Sequence, residues 1–285
     1  MLILLVTGLK STTLHKTNNI SNSISKRLSV QVSLTGLSFL IQQGSSCETL
    51  FFYEKEFSNS RTPEELLFEI NKIVKQKEEL GVSFDEVSVV YATDCYTLVP
   101  SSLFDPEKAV EYLKFNTKIL GNDFIAHDKV TLGDVIVVYV PFVNINNYFF
   151  ERFGTFQYYH ATSVLLESIL KKERHSILPK IFLHVQKEHF DCIIIKNGQL
   201  ELCNSYPFRT TEDFIYYVLF AMEQLQLSTE NTQAYIFGKI TRDDNLYTAL
   251  YTYIRNIEFF KDNRTTPSET NLEDHQHYLI HQVLS

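Results

Sequence analysis

Apolar and polar residues alternate from Leu28 onward, with Leu28, Val30 and Val32 before a Thr35-Gly36 turn and Leu37, Phe39 and Ile41 after it. Period two on both sides of a short glycine turn predicts a β-hairpin. The run TLFFYEKEF (49–57) predicts a third strand. Over RTPEELLFEINKIVKQKEELG (61–81) the period becomes helical, with Leu66, Ile70, Ile73 and Val74 as the apolar stripe. Thr62 and Glu65 have capping-box spacing, Pro63 suits the first helical position, and Gly81 is the expected stop. EVSVVYA (86–92) is too apolar to face water on one side and predicts a buried strand.

The same order of signals returns later in the chain. Ile181, Leu183 and Val185 alternate into a turn, and Phe190, Cys192 and Ile194 alternate out of it. Val30 and Leu183 lie 153 residues apart, as do Phe39 and Cys192. QLELCNSYPF (199–208) supplies the third strand. Thr210 and Asp213 repeat the capping box 148 residues after Thr62 and Glu65, ahead of the helix 209–227, and QAYIFGK (233–239) repeats the following strand. Strand, strand, strand, capped helix, strand, given twice, is an internal structural repeat.

Between the copies, YATDCYTLVPSSLFDPEKAVEYLKFN (91–116) reads as a strand end, a Pro-Ser-Ser turn and a helix. Asp105 is the expected N-cap, with Pro106 at the first position and Glu107 complementing the helix dipole. Ala109, Tyr112, Leu113, Asn116 and Leu120 would share one helical face. GDVIVVYVP (133–141) and TFQYYHA (155–161) predict strands; NINNYFFERFG (144–154) and TSVLLESILKKERH (162–175) predict helices. Pro179 marks a boundary. The expectation is an α/β fold of two duplicated lobes with a mixed sheet in each: a flexible extension at 1–27, a first lobe at 28–178 and a second at 179–285.

Composition narrows the function classes. The 285 residues carry a formal net charge of −8 with no Lys/Arg run longer than two, which argues against nucleic acid as the partner. The four cysteines form no C-x-x-C pair, so reduced, mostly buried thiols are expected and a zinc site is not. The opening MLILLVTG lacks the basic and small-residue flanks of a signal peptide, and no stretch has the apolar length of a membrane span. A cytoplasmic location follows as the expectation.

The block YTLVPSSLFDPEKAVEYLKFN (96–116), together with LSVQVSLTGLSFLI (28–41), AHDKV (126–130) and DVIVVYVPF (134–142), resembles domain of unknown function family 3822, an uncharacterised bacterial family. The resemblance implies duplicated actin-like (ribonuclease H-like) lobes. It also implies a nucleotide site between them, since actin-like ATPases hold phosphates and magnesium on the first hairpin turn of each lobe. Ser33, Thr35 and Gly36 on one turn, Glu188 on the other and Gly238 at the later strand end are the candidate cofactor-binding residues. The first turn has no carboxylate to position magnesium, the second has no glycine to let backbone approach a phosphate, and the strand end has one glycine where a pair is usual. Phosphoryl transfer depends on such positioning, so no catalytic residue is expected. The expected function is a non-catalytic binding or scaffold module with a protein partner; the alternative is a nucleotide-binding switch or slow ATPase using ATP and magnesium. Fold analogy also raises a partner in a cell-envelope assembly.

Other residue groups read more simply as structural. Cys95 beside Asp94 is expected to be a buried thiol at a strand end. His127-Asp128 and His160 are expected to fix turns or caps, and Asp243-Asp244 to cap the helix 245–256. Glu273, His277 and His281 share one face if helical, too sparse a set for a metal. The helix 209–227 is expected to be chiefly core, and the aromatics of 146–159 to offer a partner surface.

Overall fold

The chain folds into two five-stranded sheets with one strand order. The computed structural model describes residues 25–44, 46–114, 119, 121, 123–261 and 275–283. The first sheet begins with β1 (Lys26–Ser33), β2 (Gly36–Gln43) and β3 (Thr49–Glu56), followed by helix α1 (Pro63–Gln76) and β4 (Glu86–Tyr91). An insertion comes next: β5 (Tyr96–Pro100), α2 (Ala109–Lys114), β6 (Ala126–Val130) and β7 (Val135–Tyr139), before the crossover helix α3 (Val143–Phe153). The fifth strand β8 (Gln157–His160) and helix α4 (Ala161–Glu173) complete this half. The second half runs β9 (Lys180–Val185), β10 (His189–Lys196), β11 (Gln199–Pro207), α5 (Thr211–Gln224), β12 (Gln233–Gly238), α6 (Asn245–Tyr253) and β13 (Asn256–Phe259), and α7 (Tyr278–Gln282) follows.

The sheets are ordered β3-β2-β1-β4-β8 and β11-β10-β9-β12-β13. In each, the hairpin strands are antiparallel, and the fourth and fifth strands, reached through crossovers, are parallel. Register repeats as well: Arg27 sits opposite Glu86, and Lys180 opposite Gln233. Both capping boxes form. Glu65 N donates to Thr62 Oγ1 at 3.3 Å and Thr62 N to Glu65 Oε2 at 2.9 Å; the Thr210–Asp213 pair closes at 3.1 and 3.2 Å. The repeated pattern of the sequence is therefore a repeated topology.

The halves share one core. Leu165, Leu166 and Ile169 of α4, and Tyr278 and Leu279 of α7, pack in a cluster with Val30 and Val89 of the first sheet and Phe182, Ile193 and Phe237 of the second. Full burial of such a side chain contributes about 1.5–3 kcal/mol, so a polar residue at Phe237 would loosen both sheets. The far face of the second sheet has its own cluster, in which Leu183, Phe190 and Ile236 meet Phe214 and Val218 of α5. The inserted β5-β7-β6 sheet has a small third one around Val99, Leu113 and Val138.

Several local expectations are corrected. Thr97–Pro100 is not a strand exit: it is the edge strand β5, with Thr97 opposite Val138 and Val99 opposite Ile136. Asp105 does cap, accepting from Glu107 N at 3.1 Å, but it caps a 3₁₀ turn that precedes α2; Asn116 and Leu120 lie outside the described residues. Helix α1 stops at Gln76, ahead of a separate 3₁₀ turn that ends at Gly81. Helix α6 stops at Tyr253, because Asn256 begins a strand parallel to β12. Lys26 and Arg27, expected in the extension, belong to β1 and pair with Gln43 and Gln42; residues 1–24 lie outside the described residues. Cys192 is buried, but Cys95 and Cys203 are half-buried and Cys47 is exposed. The aromatics of 146–159 are mostly packed on the main core, with Phe149 buried and Phe150 the exposed one, whereas α5 turns Tyr216 and Phe220 outward.

Candidate interlobe cleft

The two hairpin turns meet across the halves with a piece of the chain's own backbone between them. In the first turn, Ser33 pairs with Gly36, and Ser33 Oγ donates to Gly36 O at 3.0 Å. The linker from β3 to α1 closes over this turn: Phe57 N donates to Thr35 O at 2.9 Å and Arg61 N to Leu34 O at 2.8 Å. The second turn reaches the same linker from the other side. Lys187 Nζ donates to Phe57 O at 2.6 Å and Ser58 O at 2.9 Å, and Ser60 Oγ to Glu188 Oε2 at 3.3 Å. Residues 57–61 thus use both turns as partners.

A second set of contacts crosses beside it. Glu54 and Glu56, two apart on β3 and therefore on one face, both meet the ammonium of Lys239, Glu54 at 3.2 Å. Ser38 Oγ also donates to Glu54, at 3.3 Å. Lys239 is aimed by its neighbours. Its own N–H donates to Val185 O at 2.8 Å, and Gly238 N donates to His275 O at 2.9 Å. Gly238 has φ +88°, and a Cβ there would stand 2.2 Å from Val185 O, so this position requires glycine for close backbone approach.

The cavity these groups leave between them is about 10 Å³, room for roughly one water and far below the roughly 300–1,000 Å³ of small-molecule sites. Ser33, Thr35 and Gly36 line it together with Glu54, Glu56, Gln186, Lys187 and Lys239. Glu188 and Gly238 fall just outside, and the residues after and before that matter are their neighbours Lys239 and Lys187. Behind Gln186 runs a buried chain: its side-chain amide meets Nε2 of His184 at 2.7 Å, and Nδ1 of that ring meets Asp191 Oδ2 at 3.0 Å. Burial is the largest single influence and pushes the Asp191 carboxyl upward, but the bond from His184 and the electrostatic attraction of His189, His184 and His160 together hold it below the ordinary range. Asp191 thus stays an acceptor inside the protein and is not a ligand facing the pocket.

The donor set fits a magnesium nucleotide poorly. The two carboxylates that could position a cation are both paired with Lys239, the space between the turns holds residues 57–61, and Gly238 approaches its own backbone. Sequence reading missed Glu54, Glu56, Lys187 and Lys239. Two acids on one face of a strand were a visible signal; the lysines opposite them were not.

The remaining candidates are structural. His127 points away from Asp128 and meets the Phe104 ring in a tilted contact, centroids 4.9 Å apart. Asp128 accepts from His160 N at 2.8 Å, Ser163 Oγ at 2.7 Å and Tyr139 O–H at 3.2 Å, tying β6 to the start of α4. His160 caps α4 by accepting from Thr162 N, while its Nε2 donates to Thr93 O at 3.0 Å. Burial pushes its pKa down to about 4, so the ring is neutral near pH 7. Cys95 Sγ contacts Asp94 Oδ1 at 3.7 Å. Asp244 stands at the N-cap position of α6 but spends its carboxylate on Thr241. His277 meets the Phe52 ring in a tilted contact, centroids 4.6 Å apart, and Glu273 lies outside the described residues. Among the described residues no metal-ligating cluster occurs, and no helix is long and apolar enough to cross a membrane.

Comparison with solved structures gives the same architecture. A Bacteroides thetaiotaomicron protein with an actin-like ATPase fold and unknown function is similar at TM-score 0.78 and 21% identity, over 94% of this chain and 99% of that one. A chain of the PilM–PilN type IV pilus biogenesis complex is similar at TM-score 0.58 and 13% identity, over 93% and 98%. At these identities the likeness establishes the fold. Comparison with curated proteins gives no match. The model of the protein family of unknown function DUF3822 matches residues 15–257, and this actin-like chain belongs to that family.

Proposed function

We propose that this chain is a non-catalytic, cytosolic actin-like binding module, its two lobes meeting at Pro179 and its former nucleotide cleft held shut by its own side chains. The observation that carries this reading is Lys239 seated between Glu54 and Glu56. An internal ammonium there supplies the positive charge that a phosphate-bound metal would otherwise bring, and phosphoryl transfer without a positioned metal loses its main electrostatic support. The likeness to a chain of the PilM–PilN complex supports a protein partner, since that protein carries this fold within a protein assembly. The test is phosphate release from magnesium ATP by the full chain. No release above a buffer blank is expected; magnesium-dependent turnover lost in Ser33→Ala would overturn the reading.

A second reading, a nucleotide-responsive switch, is favoured by one feature. Lys187 and Lys239 face the hydroxyls of Ser33 and Thr35 across the pocket. If the ion pairs to Glu54 and Glu56 opened, Lys239 and these hydroxyls would present donors to an anion. Tighter ATP binding by Glu54→Gln/Glu56→Gln than by the parent would support it, and unchanged absence of binding would remove it.

A further inference from the structure

The outer face of α5 departs from what its place in the fold requires. The helix buries Phe214, Ile215, Val218, Ala221 and Met222 against the second sheet. Its opposite side is a single row, Glu212, Tyr216, Phe220 and Glu223, at helical spacing and exposed. Tyr216 is 62% and Phe220 42% exposed, and their rings stack at 6.0 Å. The internal duplication supplies a control. From matched capping boxes, the same row on α1 reads Glu64, Phe68, Lys72 and Lys75. One helix fills this place in the fold with lysines; the other replaces them with an aromatic and an acid, and has no basic residue along its length.

We propose that this row docks a basic, amphipathic segment of a partner protein, an inference that rests on the binding-module reading above. The apolar centre is covered by aliphatic side chains. Acids at both ends pair with arginine or lysine one helical turn to either side, and Tyr216 offers its face to an arginine. The same acids repel an anionic membrane surface, which separates a protein segment from lipid as the occupant.

The test uses the full chain carrying 3-fluorotyrosine, with the Tyr216 fluorine signal assigned by its loss in Tyr216→Phe. The probes are a synthetic amphipathic helix of leucine, alanine and arginine, its twin with glutamate for arginine, and phosphatidylserine vesicles. The arginine helix is expected to shift the Tyr216 signal. Phe220→Ser, and separately Glu212→Gln/Glu223→Gln, should each weaken it about tenfold; a far-UV circular dichroism spectrum matching the parent checks that each variant is folded, because Phe220 is partly covered and Glu212 lies in the first turn of α5. No shift, equal response to both helices, insensitivity to Phe220→Ser, or a response to vesicles alone would overturn the proposal. Phosphate release reports the cleft and this titration reports α5, so failure of one is distinguishable from failure of the other.

Discussion

The two lobes repeat strand order, register and capping chemistry, yet their facing rims are opposites. The first rim presents Glu54 and Glu56 beside a glycine turn; the second presents Lys187 and Lys239 beside a turn without glycine. Topology has been kept where burial enforces it, as at Val30 and its counterpart Leu183, both fully buried. Chemistry has diverged where solvent tolerates it, and it has diverged toward mutual attraction. A cleft between such rims gains by closing on itself.

The sharpest break in the comparison comes from the two glycines. Gly238→Ala should cost roughly 4 kcal/mol, because it combines a left-handed φ with a backbone clash. Gly36→Ala, with its nearest atom at 3.2 Å and an ordinary φ, should cost under about 1 kcal/mol. Denaturant unfolding of both variants checks this; equal losses would mean that the second rim is no more constrained than the first.

Acid should act next most strongly. The unfolded chain protonates its histidines near pH 6.5, whereas folded His160 does so near 4. The unfolded state therefore binds more protons across that window. Stability is fully present above it and should fall by about 3 kcal/mol as pH drops through it. Asp191, with its lowered folded pKa, loses stability in the same direction at lower pH. Unfolding free energies of the parent and His160→Gln, measured against pH, check the slope; an unchanged slope in the variant would remove His160 as its source.

The capping boxes test how alike the lobes are. Thr62→Ala and Thr210→Ala should each cost about 1 kcal/mol, and matching losses in thermal unfolding would confirm equivalent helix starts. Smallest is the cross-lobe pair. Lys239 and Glu54 are 31% and 27% exposed, so Lys239→Met should cost about 1 kcal/mol or less. A double-mutant cycle with Glu54→Gln should return a coupling of about 0.5 kcal/mol; a coupling of zero would mean that the rims do not hold each other.

Much of the fold was legible because its signals are local. Period two around Gly36, the Thr62–Glu65 and Thr210–Asp213 boxes and their common spacing were enough for duplicated lobes. β5 and β13 escaped because each is short and adjoins a stronger helical signal: Pro100 and Asp105 in one case, the apolar run after Asn245 in the other. The cleft was half legible. Ser33, Thr35 and Gly36 stand in it, but Glu54 and Lys239 are 185 residues apart and nothing in a linear pattern pairs them. The aromatics of 146–159 were expected at the surface and are mostly packed; α5 is chiefly core as expected, but its all-round apolar pattern hid that Tyr216 and Phe220 turn outward.

On the proposed reading the lobes fill the cleft that a nucleotide would occupy, and equilibrium binding tests this most directly. Thermal unfolding of the full chain should be followed with and without magnesium ATP. An unmoved transition at every nucleotide concentration is the expected result. A rise equivalent to about 2.7 kcal/mol, as a ligand at a hundred times its dissociation constant produces, would contradict it.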